Sequence, residues 1–113
     1  MRKRTMGKSQ RDKGYRTENN VRLKALEHGL DAYRVPLSGG ASIKGDVVVK
    51  NSVDEWVLEI KCRGNGFKQI YGWLEDNDAL VLKADNKPEL VVLPMADFFD
   101  LLMGRHDGSK AGE

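Results

Sequence analysis

Two short runs of strand-forming residues, separated by a turn, constrain this chain more than any other feature. Residues 47–49 are three valines that follow Asp46. In residues 55–61, apolar side chains at 56, 58 and 60 alternate with a second set that is mostly charged. The residues between them, 51–54, are mostly polar and typical of a turn. Because β-branched residues favour strands, two such runs around a short turn predict a β-hairpin.

The remaining patterns predict helices and further strands on both sides of this hairpin. Apolar side chains recur at helical spacing within residues 15–28, and Gly29 follows as a stop signal. By the same criteria the chain should hold strands at 31–35, 79–83 and 90–93, and helices at 67–75 and 95–103. The order α-β-β-β-α-β-β-α predicts an α/β fold, with a central mixed five-stranded sheet flanked by helices.

The size of the chain is that of one small domain. It has 113 residues, of which 40% are hydrophobic and 32% charged. We expect a flexible basic arm over residues 1–14, one domain over 15–104 and a loose tail over 105–113. The core of such a domain is thin, which favours association with a second subunit.

Charge is distributed unevenly along the chain. The formal net charge is +2, but residues 1–16 carry seven basic residues against Asp12, and the rest of the chain is acidic. This asymmetry indicates contact with nucleic acid, and the alternative is a solubilising tail. With a single cysteine and no apolar stretch of about 18 residues, we expect a cytoplasmic protein without a membrane partner.

The second strand of the hairpin carries the residues that could take part in catalysis. Side chains alternate along a strand, so Trp56, Leu58 and Ile60 should face the core while Glu59 and Lys61 share the opposite face. Asp46 opens the neighbouring strand and can approach Glu59 across the sheet. Two carboxylates at close quarters favour a divalent cation such as Mg²⁺, which activates water and neutralises charge on a phosphate.

Each of these residues also has a simpler interpretation. Glu59 and Lys61 alone are common as a solvated pair on an exposed strand. Glu18 near the start of a helix could act only on the helix dipole. The segment 38–40 could be no more than a turn, and Arg34 could solvate a strand edge or bind phosphate. The apolar stripe of residues 67–74 could serve the core or a dimer interface.

The combined pattern resembles a known group of nucleases. Asp46 followed by Glu59-Ile60-Lys61 resembles the D…ExK pattern of the restriction-endonuclease-like superfamily. Upstream, Gly14-Tyr15-Arg16-Thr17-Glu18 and then Arg34-Val35-Pro36-Leu37-Ser38-Gly39-Gly40 lead into Gly45-Asp46. This succession is similar to the archaeal-type Holliday junction resolvase family, over roughly residues 13–84.

The resemblance implies an endonuclease that resolves Holliday junctions by paired symmetric cuts, acts as a homodimer and uses Mg²⁺ or Mn²⁺. It implies metal ligation by Glu18, Asp46, Glu59 and the carbonyl of Ile60, a water-positioning role for Lys61 and a supporting role for Ser38. The expected DNA-binding residues are Arg2, Lys3, Arg4, Lys8, Arg11, Lys13, Arg16, Arg34, Arg63 and Gln69.

Other functions of the same pattern stay open. A nicking or other structure-selective nuclease of the same superfamily would use the same residues on a different target. A non-catalytic DNA-binding module and an RNA-directed nuclease are further alternatives. For a DNA nuclease, we expect an intracellular, nucleoid-associated location.

Overall fold

The structure is a computed structural model that describes residues 2–36 and 45–105, with only the helical backbone described for residues 2–13. Its elements are helix α1 (Arg2–Glu27), strands β1 (Asp31–Arg34), β2 (Val47–Lys50) and β3 (Glu55–Leu58), helix α2 (Lys68–Leu74), strands β4 (Leu80–Leu82) and β5 (Leu90–Val92), and helix α3 (Met95–Leu102). This confirms the predicted order of elements. Ser38, the chain from residue 106 onward and the side chains of the six basic residues predicted at 1–13 lie outside the described residues.

Helix α1 is longer than the sequence predicts. It begins at Arg2 rather than near Tyr15, and so it spans the segment predicted to be a flexible arm. The arm was predicted from its lack of apolar periodicity, which reports burial rather than backbone conformation. Lys, Arg, Gln and Met are nonetheless good helix formers, so a helix can extend through residues that have no apolar face.

Helix α1 ends at Glu27, just before the stop signal predicted at Gly29, and the hydrogen bonds give the reason. Gly29 has a φ of +92°. The Leu30 N–H donates to the Ala25 carbonyl at 3.0 Å, and the Gly29 N–H donates to the Leu26 carbonyl at 3.0 Å. This is a Schellman arrangement, in which a glycine in the left-handed region closes the helix and satisfies its last carbonyls.

The chain forms two compact units, Met1–Cys62 and Arg63–Glu113, called here the N-terminal and C-terminal units. In the N-terminal unit, β1, β2 and β3 form an antiparallel sheet with β2 in the centre. The three valines of β2 are fully buried, and helix α1 contributes Val21 and Ala25 to the same core. Full burial of each valine stabilises the fold by about 1.5–3 kcal/mol.

The C-terminal unit contains a hairpin between two helices. Strands β4 and β5 pair antiparallel around a turn at residues 84–87, where Asn86 has a φ of +62°. Helix α3 ends on Gly104 in the same manner as α1, with the Arg105 N–H donating to the Asp100 carbonyl at 2.7 Å. Phe99 is the buried apolar side chain of this unit among the described residues.

Two sequence predictions about the sheet are wrong. In the part of the chain that the structure describes, the strands form one three-stranded and one two-stranded sheet, both antiparallel, and not a five-stranded mixed sheet. Each pairing joins strands that follow one another in the chain, whereas pairing between distant strands is not specified by local patterns. Trp56, predicted to face the core, is 46% exposed.

No helix within the described residues combines the length and the apolar character that a membrane span requires. Helix α1 is long enough at 26 residues, but its sequence is rich in charged side chains.

Candidate active site

Three of the predicted site residues, Arg34, Asp46 and Glu59, lie at one end of the three-stranded sheet. Arg34 pairs with Val47, and Val47 pairs with Leu58, so these residues mark a common end of the three strands. Asp46 is the next residue outward from Val47, and Glu59 is the next outward from Leu58. Antiparallel pairing therefore brings a basic residue and two acidic residues, distant in sequence, to one edge.

Asp46 is held in place by the backbone around it. Its N–H donates to the Leu58 carbonyl at 2.8 Å, and its carbonyl accepts the Val35 N–H at 2.9 Å. Its carboxylate oxygen Oδ2 accepts the N–H of Ile60 at 2.6 Å. Asp46 thus links the ends of all three strands. Because β3 ends at Leu58, the Asp46 carboxylate accepts the Ile60 N–H in place of a backbone carbonyl.

Gly45 is required for this position of Asp46. Its φ is +122°, and a Cβ atom added there would lie 2.6 Å from Cγ1 of Val57. A side chain at this position would meet both backbone strain and a direct clash. The Gly45-Asp46 pair, predicted from the sequence as the opening of a strand, therefore has a physical reason.

Glu18 reaches the site through Arg34. Nε and Nη2 of Arg34 donate to Oε1 of Glu18 at 3.1 and 2.9 Å, and the two side chains are only 27% and 20% exposed. The Arg34 guanidinium also lies over the ring of Tyr15, 4.2 Å from its centroid. A cation–π contact of this kind contributes about 0.5–1 kcal/mol when partly exposed.

Sequence reasoning missed this three-residue contact. Arg34 was expected to solvate a strand edge or bind phosphate, and Tyr15 was given no role. A usable signal was present, because Tyr15 and Glu18 are three residues apart in a predicted helix and therefore share one face. That face opposes β1, whose last residue is Arg34.

Glu59 and Lys61 form the second ion pair of the site. Oε2 of Glu59 lies 3.0 Å from Nζ of Lys61, and both side chains are more than half exposed. They follow the end of β3 rather than alternating along it, so the strand was predicted three residues too long. An exposed pair of this kind contributes about 0–1 kcal/mol to stability, so its partners separate at little cost.

Each of the three carboxylates therefore has its own positive or donor partner. Among the described residues, no three acidic, histidine or cysteine side chains lie close enough to share one metal ion. The donor chemistry nevertheless fits Mg²⁺ or Mn²⁺, because carboxylate oxygens are their preferred protein ligands. Binding one cation through Glu18, Asp46 and Glu59 requires these side chains to move closer together, and Arg34 and Lys61 each lie beside one oxygen of Glu18 and Glu59 respectively.

The other predicted residues fall elsewhere. Arg16 is exposed on helix α1, close in sequence to Glu18. Arg63 and Gln69 are exposed and belong to the C-terminal unit. Ile60 takes part through its N–H, and ligation through its carbonyl stays a prediction.

Comparison with known proteins yields no match: no family model, no curated protein and no solved structure is similar to this chain. The function of the site therefore has to be argued from its own residues. Those residues are three carboxylates and two basic side chains at the end of one sheet.

Proposed function

We propose that this protein is a divalent-metal-dependent DNA endonuclease of the restriction-endonuclease-like class. The proposal is carried by one observation. Asp46 and Glu59 flank the Val47–Leu58 pair at the end of the sheet, with Lys61 bonded to Glu59 and Glu18 brought in by Arg34. Carboxylates beside a lysine and an arginine provide ligands for a hard cation and positive groups for a phosphate.

The residues divide into three roles. Asp46 and Glu59 would hold the cation, with Glu18 and the Ile60 carbonyl as further ligands. When bound, the cation supplies Lewis-acid stabilisation of the phosphate and acidifies a water. Lys61 would orient the attacking water and stabilise negative charge on the phosphate once Glu59 binds the cation, because the exposed pair separates at little cost.

The substrate that we propose is a Holliday junction or related branched DNA. The charge asymmetry supports a polyanionic partner, because the N-terminal unit carries thirteen basic and eight acidic residues. Resolving a four-way junction needs two equivalent cuts, and one chain offers one site. A closed two-fold dimer supplies the second and matches the symmetry of the junction.

The test compares two matched substitutions in the same strand region. Glu59→Gln removes the charge and keeps the shape, and Glu55→Gln does the same at the exposed opposite end of β3. With Mg²⁺, we expect Glu59→Gln to cut a synthetic four-way junction about 100-fold more slowly or worse. Glu55→Gln should cut at the wild-type rate.

A linear duplex of matched sequence separates the possible substrates. Paired symmetric nicks in the junction, with little cutting of the duplex, support a resolvase. Equal cutting of both indicates a general or nicking nuclease that uses the same site. Junction binding without cleavage by the wild-type protein indicates a DNA-binding module, and wild-type cleavage by Glu59→Gln overturns the assignment of the site.

A further inference from the structure

Arg34 contacts two side chains of helix α1, and each of them contacts a different part of the Arg34 guanidinium. The edge of its guanidinium donates two hydrogen bonds to one oxygen of Glu18, and its face covers the ring of Tyr15. Glu18 and Arg34 are 16 residues apart in sequence, and both side chains are about three-quarters buried or more. Such a pair is held in a defined geometry and is better shielded from solvent than Glu59 and Lys61.

This contact has a consequence for any cation that binds Glu18. Arg34 occupies one oxygen of Glu18, and its positive charge repels a divalent cation that approaches the same carboxylate. Arg34 is also suited to a second anion, because a guanidinium binds phosphate and carboxylate with the same planar set of donors. Arg34 can therefore exchange one anionic partner for the other.

We propose that Arg34 is an exchangeable counter-ion of Glu18, which moves onto a DNA phosphate and thereby releases Glu18 to the divalent cation. The inference rests on the proposed function, since it assigns a regulation to that same site. Tyr15 is a positioning residue in this scheme. Its ring keeps the guanidinium beside Glu18 while leaving the donor edge able to turn toward a phosphate.

The exchange couples two binding events. Without DNA, Arg34 competes with the cation for Glu18 and weakens cation binding. With DNA, the phosphate takes Arg34, and cation binding becomes tighter. Because coupling between two ligands is reciprocal, the cation should strengthen DNA binding by the same factor. The protein would then assemble its metal site mainly on DNA.

The test measures metal binding to the full-length protein without DNA, by calorimetric titration with Mn²⁺. We expect Arg34→Gln to bind Mn²⁺ about two- to fivefold more tightly than wild type, the range given by the loss of one ion pair. Tyr15→Leu should change affinity in the same direction, and Tyr15→Phe should keep wild-type affinity because it retains the ring. A merely structural role of Arg34 predicts weaker metal binding instead.

A second measurement addresses the coupling itself. Binding of a four-way junction is followed by fluorescence anisotropy with and without Ca²⁺, which also prefers oxygen ligands. Wild-type protein should gain affinity for the junction when Ca²⁺ is present, and Arg34→Gln should gain less. If Arg34→Gln fails to fold, the comparison of Tyr15→Leu with Tyr15→Phe decides the question alone.

Asp46→Asn separates this inference from the proposed function. If Asp46→Asn weakens Mn²⁺ binding while Arg34→Gln and Tyr15→Leu leave it unchanged or weaken it, the exchange is wrong and the metal site stands. If Asp46→Asn leaves Mn²⁺ binding unchanged, the metal site is wrong, and the exchange falls with it.

Discussion

The two units of this protein use their apolar and charged residues differently. Among the described residues, eight of the nine buried apolar side chains belong to the N-terminal unit, and Phe99 alone belongs to the C-terminal unit. The N-terminal unit has a net charge of +5, whereas the C-terminal unit carries six basic and nine acidic residues. The candidate active site lies within the basic unit that has the buried core.

This difference separates two requirements of the proposed enzyme. Groups that act on a phosphate must be held on a rigid support, and β2 with its three buried valines provides one. Among the described residues both units expose large apolar side chains, seven in the N-terminal unit and six, including Tyr71 and Trp73, in the C-terminal unit. Because the C-terminal unit buries only Phe99 among the described apolar residues, we predict that it is the unit that associates with a second chain.

The largest effect is expected from placing a charge in each unit at a valine. Val48 is 0% exposed and Val81 is 63% exposed. Val48→Asp should destabilise the protein by more than about 3 kcal/mol, because an unpaired carboxylate is buried there. Val81→Asp should change the free energy of unfolding by less than about 0.5 kcal/mol. Urea denaturation followed by circular dichroism measures both, and equal destabilisation would show that the two units share one core.

Glycine-to-alanine substitutions, one in each unit, should change the free energy of unfolding in opposite directions. Gly45→Ala should destabilise by about 1–3 kcal/mol, owing to its positive φ and the contact with Val57. It should also reduce cleavage, because Asp46 is displaced. In helix α2 a Cβ at Gly72 meets nothing within 4 Å, so Gly72→Ala should stabilise by about 0.5–1 kcal/mol. Thermal unfolding of both variants checks the signs, and a stable, active Gly45→Ala contradicts the site geometry.

The sequence predicted the elements of the fold better than their assembly. Valines 47–49 and the turn after them encode the hairpin locally, and Gly29 encodes the end of helix α1, so both were predicted correctly. The joining of all strands into one sheet depends on contacts between distant segments, and that prediction was wrong. The start of α1 was misplaced because amphipathic periodicity detects only helices with a buried face.

At the candidate site, the sequence predicted that Asp46 and Glu59 approach each other across the hairpin but not how the charged residues are paired. Strand pairing brings Asp46 and Glu59 to one sheet end, as the hairpin pattern required. The ion pair between Arg34 and Glu18 was missed because the shared helix face of Tyr15 and Glu18 does not by itself specify how helix α1 lies against β1. The bond from Ile60 to Asp46 was equally hidden, since it arises only because β3 ends early.

The oligomeric state provides a third test of the difference between the two units. We expect light scattering to give the mass of a dimer at micromolar concentration, formed through the C-terminal unit. Tyr71 and Trp73 are 72% and 51% exposed on helix α2, so the double substitution Tyr71→Glu/Trp73→Glu should restore the monomer mass. Phe99 of helix α3 is fully buried and belongs to the core, so it is not part of this surface.

Val53→Glu is the control for assembly, because Val53 is an apolar residue of the N-terminal unit that is even more exposed, at 83%. It should leave the dimer intact. A monomer mass for the wild-type protein that persists after junction DNA is added excludes paired cutting by a dimer, while a simple nuclease stays possible.

The smallest effect concerns how each unit contributes to DNA affinity, and it is read from the dependence of binding on salt. Arg2, Lys3 and Arg4 lie at the start of helix α1, and replacing all three with Gln removes three charges while keeping good helix formers. For every phosphate that the variant no longer neutralises, the slope of log K against log salt concentration should become shallower by about 0.9 on duplex DNA.

The control replaces Lys68, Lys83 and Lys87 of the acidic unit with Gln. That change removes the same charge from the whole protein, so a general effect of net charge would alter both slopes equally. We expect only the first variant to show a smaller slope, because DNA should lie along the basic unit that carries the candidate site. A smaller slope for the second variant alone would place DNA on the C-terminal unit and would reverse the division of roles between the two units.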